Sequence, residues 1–308
     1  MSAIIQTSAL TKAYGKGTKQ SVALRDLSLE VHQGEVFGYL GPNGAGKSTT
    51  INIMLDLIRP TSGSATLFGM DSVKQPVEIH KRLGFLPAEL ALWKNDTAKQ
   101  VVRQIAVLRG DAPKQLKEAD LMAQQLGLDL SKRVRDFSTG NRRKLGLVIS
   151  MTHRPELLIL DEPTNGLDPL VQQTFNYMIQ EVKREGRTVF LSSHVLSEVQ
   201  TICDRVGILR NGELKSVESV QSLMANGLRK VTVTLPTEQL SSGMTTLKEV
   251  EGVHDLVQNT SSLHFDIAGD LQPMIRALAT LPVHDLLITE PSLEEIFLAF
   301  YGDNGKDN

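Results

Sequence analysis

The chain has 308 residues, 41% of them hydrophobic and 22% charged, with a formal net charge of −2; this suffices for two modest domains with real cores and leaves no global basic footprint for nucleic acid. Its single cysteine, Cys203, makes neither a disulfide framework nor a zinc cluster and fits a reducing cytosol. No apolar run approaches the roughly 20 residues that cross a bilayer, and "MSAIIQTSAL" lacks the basic n-region and long apolar run of a signal peptide.

Taken in order, the alternating runs "AIIQTSAL" and "VALRDLSLEVHQGE" within residues 3–36 predict antiparallel strands with Gly-bearing turns. "EVFGYL" (35–40) predicts a buried strand running into Gly41–Thr49, and "TINIMLDLI" (50–58) a helix with apolar residues at helical spacing. Within residues 96–136, "DTAKQVVRQIAVLRG" and "PKQLKEADLMAQQLGL" predict a small helical insertion, with starts at Asp96 and Pro113. Strand–helix alternation returns in "ELLILDE" (156–162), "QQTFNYMIQEVKREG" (172–186), "TVFLSSH" (188–194), "SEVQTIC" (197–203) and "VGILRNG" (206–212), which argues for a mostly parallel sheet wrapped by helices. After about 218 the pattern becomes strand "RKVTVTL", helix 237–249, strands "VHDLVQN" and "SLHFDIA" around a polar turn at Thr260–Ser261, helix "LQPMIRALATL" and strand "VHDLLIT". That βαββαβ order is the order of a ferredoxin-like unit, followed by a helix over "SLEEIFLAFYG" opened by a Ser-x-x-Glu capping box.

Three stretches carry chemistry. "GPNGAGKST" (41–49) fits G-x-x-x-x-G-K-[ST] between a strand and a helix. Gly41, Gly44 and Gly46 let the backbone curl until its N–H groups and the helix start form an anion nest for phosphates. Lys47 would reach the β/γ-phosphates and Ser48 would place its hydroxyl on Mg²⁺. In "LLILDEPT" (157–164) a buried strand delivers two acids at its C-terminal end: Asp161 to hold Mg²⁺, Glu162 to orient or deprotonate a water attacking the γ-phosphate. "LSSH" ends the next strand, so His194 would lie on the same sheet edge, able to donate to the γ-phosphate.

Together these motifs resemble the ATP-binding subunit of ABC transporters, over about residues 1–218. Gly41–Thr49 resembles the Walker A loop, with Gly41, Asn43, Gly44, Ala45, Gly46, Lys47, Ser48 and Thr49 expected on ATP; Leu157–Glu162 resembles Walker B with its following glutamate. "NGLDP" (165–169) resembles the D-loop, with Asp168 its aspartate, His194 the switch histidine, and Tyr14 in "TKAYGKG" the aromatic that stacks on adenine. "FSTGN" (137–141) resembles the signature motif, departing from it at Thr139 and Asn141. The resemblance implies a P-loop α/β fold with a mostly parallel core sheet, an antiparallel β subdomain and a helical subdomain at about 90–140, joined to a smaller α+β domain over 219–308. It implies an Mg²⁺-dependent ATPase on the inner face of the cell membrane, held there by integral membrane permease subunits. It also implies a second ATP-binding subunit, a homodimer being expected, in which Ser138 and Gly140 serve the γ-phosphate of the facing chain; no nucleic acid partner is implied.

"RPELLILDEPTNGLDP" and "PSLEEIFLAFYG" look like the bacterial subfamily that pairs with export-type permeases. Where the family has Gln in the loop entering the helical part, this chain has Ala88, and Glu89 is either a shifted ligand for Mg²⁺ or an ordinary loop acid. Leu92 and Trp93 either form an apolar docking patch for the membrane subunit or pack within the helical subdomain, and Arg142, Arg143 and Lys144 are either positive charge near the nucleotide or a solvated face. The competing functions are a soluble ABC ATPase acting on nucleic acid or ribosomes, whose usual coiled coils, zinc modules and tandem domains do not occur in this sequence, and a nucleotide-gated scaffold, which would have no need of Glu162 and His194.

Overall fold

A computed structural model describes residues 2–15, 20–110, 112–225 and 228–290. The chain divides into two compact units, Met1–Glu218 and Ser219–Asn308.

The first unit opens with β1 (Ala3–Tyr14) and β2 (Ser21–His32), paired antiparallel, and β1 also pairs with β4 (Ser62–Leu67). With β5 (Met70–Asp71) they form a four-stranded antiparallel sheet in the order β2-β1-β4-β5. Between β2 and β4 the chain enters the second sheet through β3 (Val36–Leu40) and then forms α1 (Lys47–Met54). α1 stops four residues short of the expected end. Asp56 adopts φ +55, and the N–H groups of Asp56 and Leu57 donate to Ile53 and Asn52, a Schellman stop in which an aspartate fills the usual glycine position.

After β5 come α2 (Pro76–Arg82) and β6 (Leu83–Leu86), then the helical insertion of α3 (Ala98–Arg109) and α4 (Ala112–Gln125). α3 is capped by Thr97, one residue beyond the expected Asp96, through a reciprocal capping box with Gln100; Pro113 falls in the first turn of α4. The remaining elements of this unit are α5 (Thr139–Met151), β7 (Leu157–Asp161), α6 (Pro169–Arg184), β8 (Thr188–Ser193), α7 (Leu196–Ile202), β9 (Arg205–Arg210) and β10 (Glu213–Ser219). Asn211 and Gly212, both at positive φ, join β9 to β10 with the two-residue signature of a type I′ hairpin.

The central sheet has the order β10-β9-β3-β8-β7-β6. Strands β9, β3, β8, β7 and β6 are parallel, and β3, β7 and β8 are buried at every position, as strands covered on both faces must be. Phe37 and Phe190 stack at 5.8 Å on neighbouring strands. The register sets Leu40 beside Ser193 and Asp161 beside Ser192, so the chain leaves β3, β7 and β8 at one edge.

The second unit begins with α8 (Val220–Ala225) and contains β11 (Arg229–Thr234), α9 (Leu240–Lys248), β12 (Val253–Gln258), β13 (Ser262–Ile267), α10 (Gln272–Leu278) and β14 (Asp285–Thr289). Its sheet is antiparallel in the order β12-β13-β11-β14, which with the βαββαβ sequence is the ferredoxin-like arrangement. Val231, Val233, Leu263, Phe265 and Ile267 bury one sheet face together with Leu247 of α9 and Met274 and Leu278 of α10. The edge strand β12 breaks register between His254 and Val257, with Asp255 at φ +50, whereas β14 pairs with β11 without interruption. The helix expected over "SLEEIFLAFYG" lies outside the described residues.

Candidate active site

The loop between β3 and α1 is built by its glycines. Gly44 and Gly46 take φ +80 and +114, and a Cβ on Gly46 would sit 2.7 Å from the Ala23 carbonyl oxygen. Gly46 is also the N-cap of α1 and supplies no side-chain cap, so the first-turn N–H groups of the helix face the loop. The loop is braced from both sides: Ala45 N–H donates to Pro42 at 3.1 Å, and the N–H of Gly212, from the β9–β10 turn, donates to Ala45 at 2.9 Å. Asn43 is exposed at its tip and Thr49 is half-buried in the first turn of α1.

Lys47 is only 6% exposed. Its Nζ donates to the carbonyls of Gly41 at 2.6 Å and Pro42 at 3.4 Å and lies 3.4 Å from Glu162 Oε1. One residue on, the Ser48 hydroxyl donates to Asp161 Oδ2 at 2.8 Å, while the Ser192 hydroxyl donates to the other oxygen of the same carboxylate. Glu162 stands at φ +51, a conformation costing a non-glycine residue about 1–3 kcal/mol, which surrounding contacts must offset. Its N–H donates to the Ser192 carbonyl at 3.2 Å and Oγ at 3.1 Å, and its Oε2 lies 2.6 Å from His194 Nδ1. Lys47, Ser48, Asp161, Glu162 and His194 thus form one connected cluster at the ends of β3, β7 and β8, the edge where open α/β sheets place their ligands.

The other expected residues stand apart from this cluster. Tyr14 ends β1, with Lys12 Nζ 5.0 Å from its ring centroid. Ser138 caps α5 by accepting from Asn141 N–H at 3.2 Å, and Asp168 caps α6 by accepting from Val171 N–H at 3.0 Å. Gly140 lies against the loop of Asp168: a Cβ there would meet the Gly166 carbonyl oxygen at 2.8 Å. Glu89 is exposed in the segment after β6, and among the described residues no three acidic, His or Cys side chains converge as metal ligands. Leu92 is half-buried and Trp93 is 52% exposed.

Sequence reasoning missed two residues. Ser192, in "LSSH", is one: its signal is a serine within a fully buried strand, which demands a polar partner. Arg143 is the other: it is 4% exposed, so the solvated-face alternative does not hold for it. Its Nε donates to Pro163 at 3.1 Å, Nη1 to Pro87 at 2.6 Å and Ala88 at 3.0 Å, and Nη2 to the carbonyls of both Asp161 and Glu162. Burial pulls its pKa down to about 10 against the opposing charges of Asp161 and Glu162, so it remains a cation at neutral pH. Helical spacing was the available signal: Arg143 shares a face with the buried Gly146 and Leu147.

Residues 24–165 match the family described as ABC transporter. The bacitracin transport ATP-binding protein BcrA of Bacillus licheniformis is 41% identical over 215 residues, 70% of this chain and 69% of that protein. The linearmycin resistance ATP-binding protein LnrL of Bacillus subtilis (strain 168) is 30% identical over 321 residues, covering 99% of this chain and 100% of the relative. Among solved structures, an ATP-binding subunit of an ABC transporter superposes with TM-score 0.65 at 28% identity, over 71% of this chain and 91% of that one. A dimeric ATP-binding cassette bound to ADP and Pi reaches TM-score 0.65 at 22% identity over 70% of this chain and 98% of the other, and shows the shared fold. Full-length similarity to such proteins agrees with the phosphate loop and the acids facing it: the chain belongs to the ABC transporter family, as an ATP-binding and ATP-hydrolysing subunit.

Proposed function

We propose that this subunit energises export through separate membrane chains, and that the cluster joining Lys47, Ser48, Asp161, Glu162 and His194 is its hydrolytic centre. The contacts of Glu162 with both Lys47 and His194, beside the Ser48–Asp161 pair, carry the reading. The loop N–H groups and Lys47 would cradle the β- and γ-phosphates. A hydroxyl and a carboxylate suit a hard divalent cation, so Ser48 and Asp161 would hold Mg²⁺, which when bound screens phosphate charge. Ser192 fixes Asp161 for that task. Glu162 orients a water and accepts its proton as the water oxygen attacks the γ-phosphorus. The bond from that phosphorus to the bridging oxygen breaks, and ADP departs with the bonding pair. His194 holds the Glu162 carboxylate and would donate to the γ-phosphate.

A second ATP-binding subunit, identical in our reading, supplies Ser138 and Gly140 to the facing nucleotide, and Tyr14 stacks on adenine. The membrane chain docks at Leu92 and Trp93, the tryptophan being 52% exposed. That bacitracin transport and linearmycin resistance appear in the names of relatives supports export. Substitution Glu162→Gln tests the centre. The variant is expected to bind MgATP as the parent does and to lose turnover by about two orders of magnitude or more, since the phosphate cradle is untouched. Normal steady-state phosphate release by the variant would remove Glu162 from the reaction.

A further inference from the structure

Among the described residues the buried guanidinium of Arg143 has no carboxylate as a hydrogen-bond partner; its donors go to main-chain carbonyls of two separate segments. Asp161, Glu162 and Pro163 belong to the tip of β7, and Pro87 and Ala88 to the segment leaving β6. Arg143 itself is in the second turn of α5, behind Ser138 and Gly140. In an extended strand successive carbonyls point to opposite sides. The carbonyls of Asp161 and Glu162 instead meet one nitrogen, Nη2, and the residue between them is the one at φ +51. The turn of the Glu162 backbone and the fork of the arginine are therefore one feature. α5 touches the segment after β6 a second time: a Cβ on Gly146 would lie 2.6 Å from both Leu86 Cδ1 and Leu90 Cδ1.

We infer that Arg143 is a positioning residue that locks the start of α5, the backbone of Glu162 and the segment 87–93 into one body, so that closure of Ser138 and Gly140 on a nucleotide is felt both at the attacking water and at Trp93. The inference rests on the proposed roles of Ser138 and Gly140 at a nucleotide, and on that of Glu162 for its effect on turnover but not for its effect on Trp93. Neither lysine nor glutamine can replace the arginine. Lysine presents three donors from one point and glutamine two, and neither has the planar fork that spans both segments.

The chain's single tryptophan is Trp93, so its intrinsic emission reports on this segment alone. In the full chain, MgATP is expected to change Trp93 emission, and Glu162→Gln is expected to keep that change because no hydrolysis is needed. Arg143→Gln should lose the emission change and lower kcat tenfold or more, while KM for ATP stays within twofold and MgATP still raises Tm. If Arg143→Gln does not fold, Arg143→Lys, which keeps the cation, is read by the same four measurements with the same expected directions. Parental kcat and a parental emission change in the variant would overturn the inference. So would a loss of kcat matched by a rise in KM and a lost thermal shift, which would mark Arg143 as a fold-stabilising residue only. A parent chain whose Trp93 ignores MgATP would overturn the link to segment 87–93. Normal turnover by Glu162→Gln would remove the hydrolytic reading while leaving the emission test in force.

Discussion

His153 shows what burial does to one titratable side chain in this protein. One imidazole nitrogen, Nε2, donates to the Leu83 carbonyl at 3.1 Å, while Nδ1 is buried without a hydrogen-bond partner among the described residues. Burial, then the charge of Arg109, and to a lesser extent Arg187, push its pKa down to about 4 against the opposing pull of the Leu83 bond. The folded state therefore holds His153 neutral, whereas the unfolded chain protonates it near its ordinary value of about 6.5. Between those values the unfolded state binds the extra proton, so stability is full above about 6.5 and falls as pH drops toward about 4. The contribution is at most about 3 kcal/mol and less for the partly solvated ring. His153→Gln, which can keep the donor to Leu83, is expected to show a smaller fall in urea midpoint between neutral and mildly acidic pH than the parent. Equal falls would assign the acid sensitivity to other groups. At this scale the convergence of Lys47, Ser48, Asp161, Glu162 and His194 was legible because the phosphate-loop pattern marks the end of one strand and polar residues close the apolar runs of two others, which a parallel sheet brings to one edge. Arg143 was not, because its partners are main-chain carbonyls, which leave no mark in a sequence, and its neighbours Arg142 and Lys144 made it look like part of a charged run.

Among the elements, α5 has two reasons for its first residues. Ser138 caps the helix in its own chain, a role worth about 1 kcal/mol, and it is the residue proposed to meet the nucleotide of a facing chain. The two roles separate in mixed dimers. Chains with Lys47→Ala and chains with Ser138→Arg each give homodimers with both sites damaged. A mixed dimer has one site with both lesions and one with an intact Lys47 facing an intact Ser138. One occluded MgATP is expected per mixed dimer and none per homodimer; if tagged mixed dimers form and occlude none, Ser138 serves only its own helix. Element boundaries followed the sequence to within one residue at "EVFGYL" and "ELLILDE", whose apolar runs became the fully buried strands Val36–Leu40 and Leu157–Asp161. The end of α1 departs from the expected Ile58 because Asp56, not glycine, takes the left-handed stop. β4, β5, α2 and β6 were not foreseen. β4 exposes its first three residues, β5 has only two, and neither carries a clean alternation.

For the whole molecule, the two units have separate cores. Phe37, Tyr39, Ile51, Ile159 and Phe190 belong to the first, and Val231, Phe265, Met274 and Leu278 to the second. A fragment of residues 1–219, which keeps all of β10, is therefore expected to fold, and MgATP is expected to raise its Tm by mass action. An insoluble fragment, or one whose Tm ignores MgATP, would show that the first core depends on the second unit. The ferredoxin-like order was legible because strand and helix periods alternate cleanly from Arg229 to Thr289. What the periods do not encode is the order of strands across a sheet, which depends on contacts between residues far apart in the chain.

The unequal borders of that second sheet bear on how the protein stays dispersed at high concentration. An uninterrupted border strand is a template on which a foreign strand can lengthen the sheet, and a bulge spoils the template. At Asp255 the break in β12 interrupts the ladder of free main-chain groups and places an acidic residue at the fault. Among the described residues β14 has no such fault and no strand beyond it, and Leu286 and Leu287 are exposed along it. Self-association by strand addition would therefore start at β14, and a lysine in place of Leu287 is where a gatekeeping charge would suppress it.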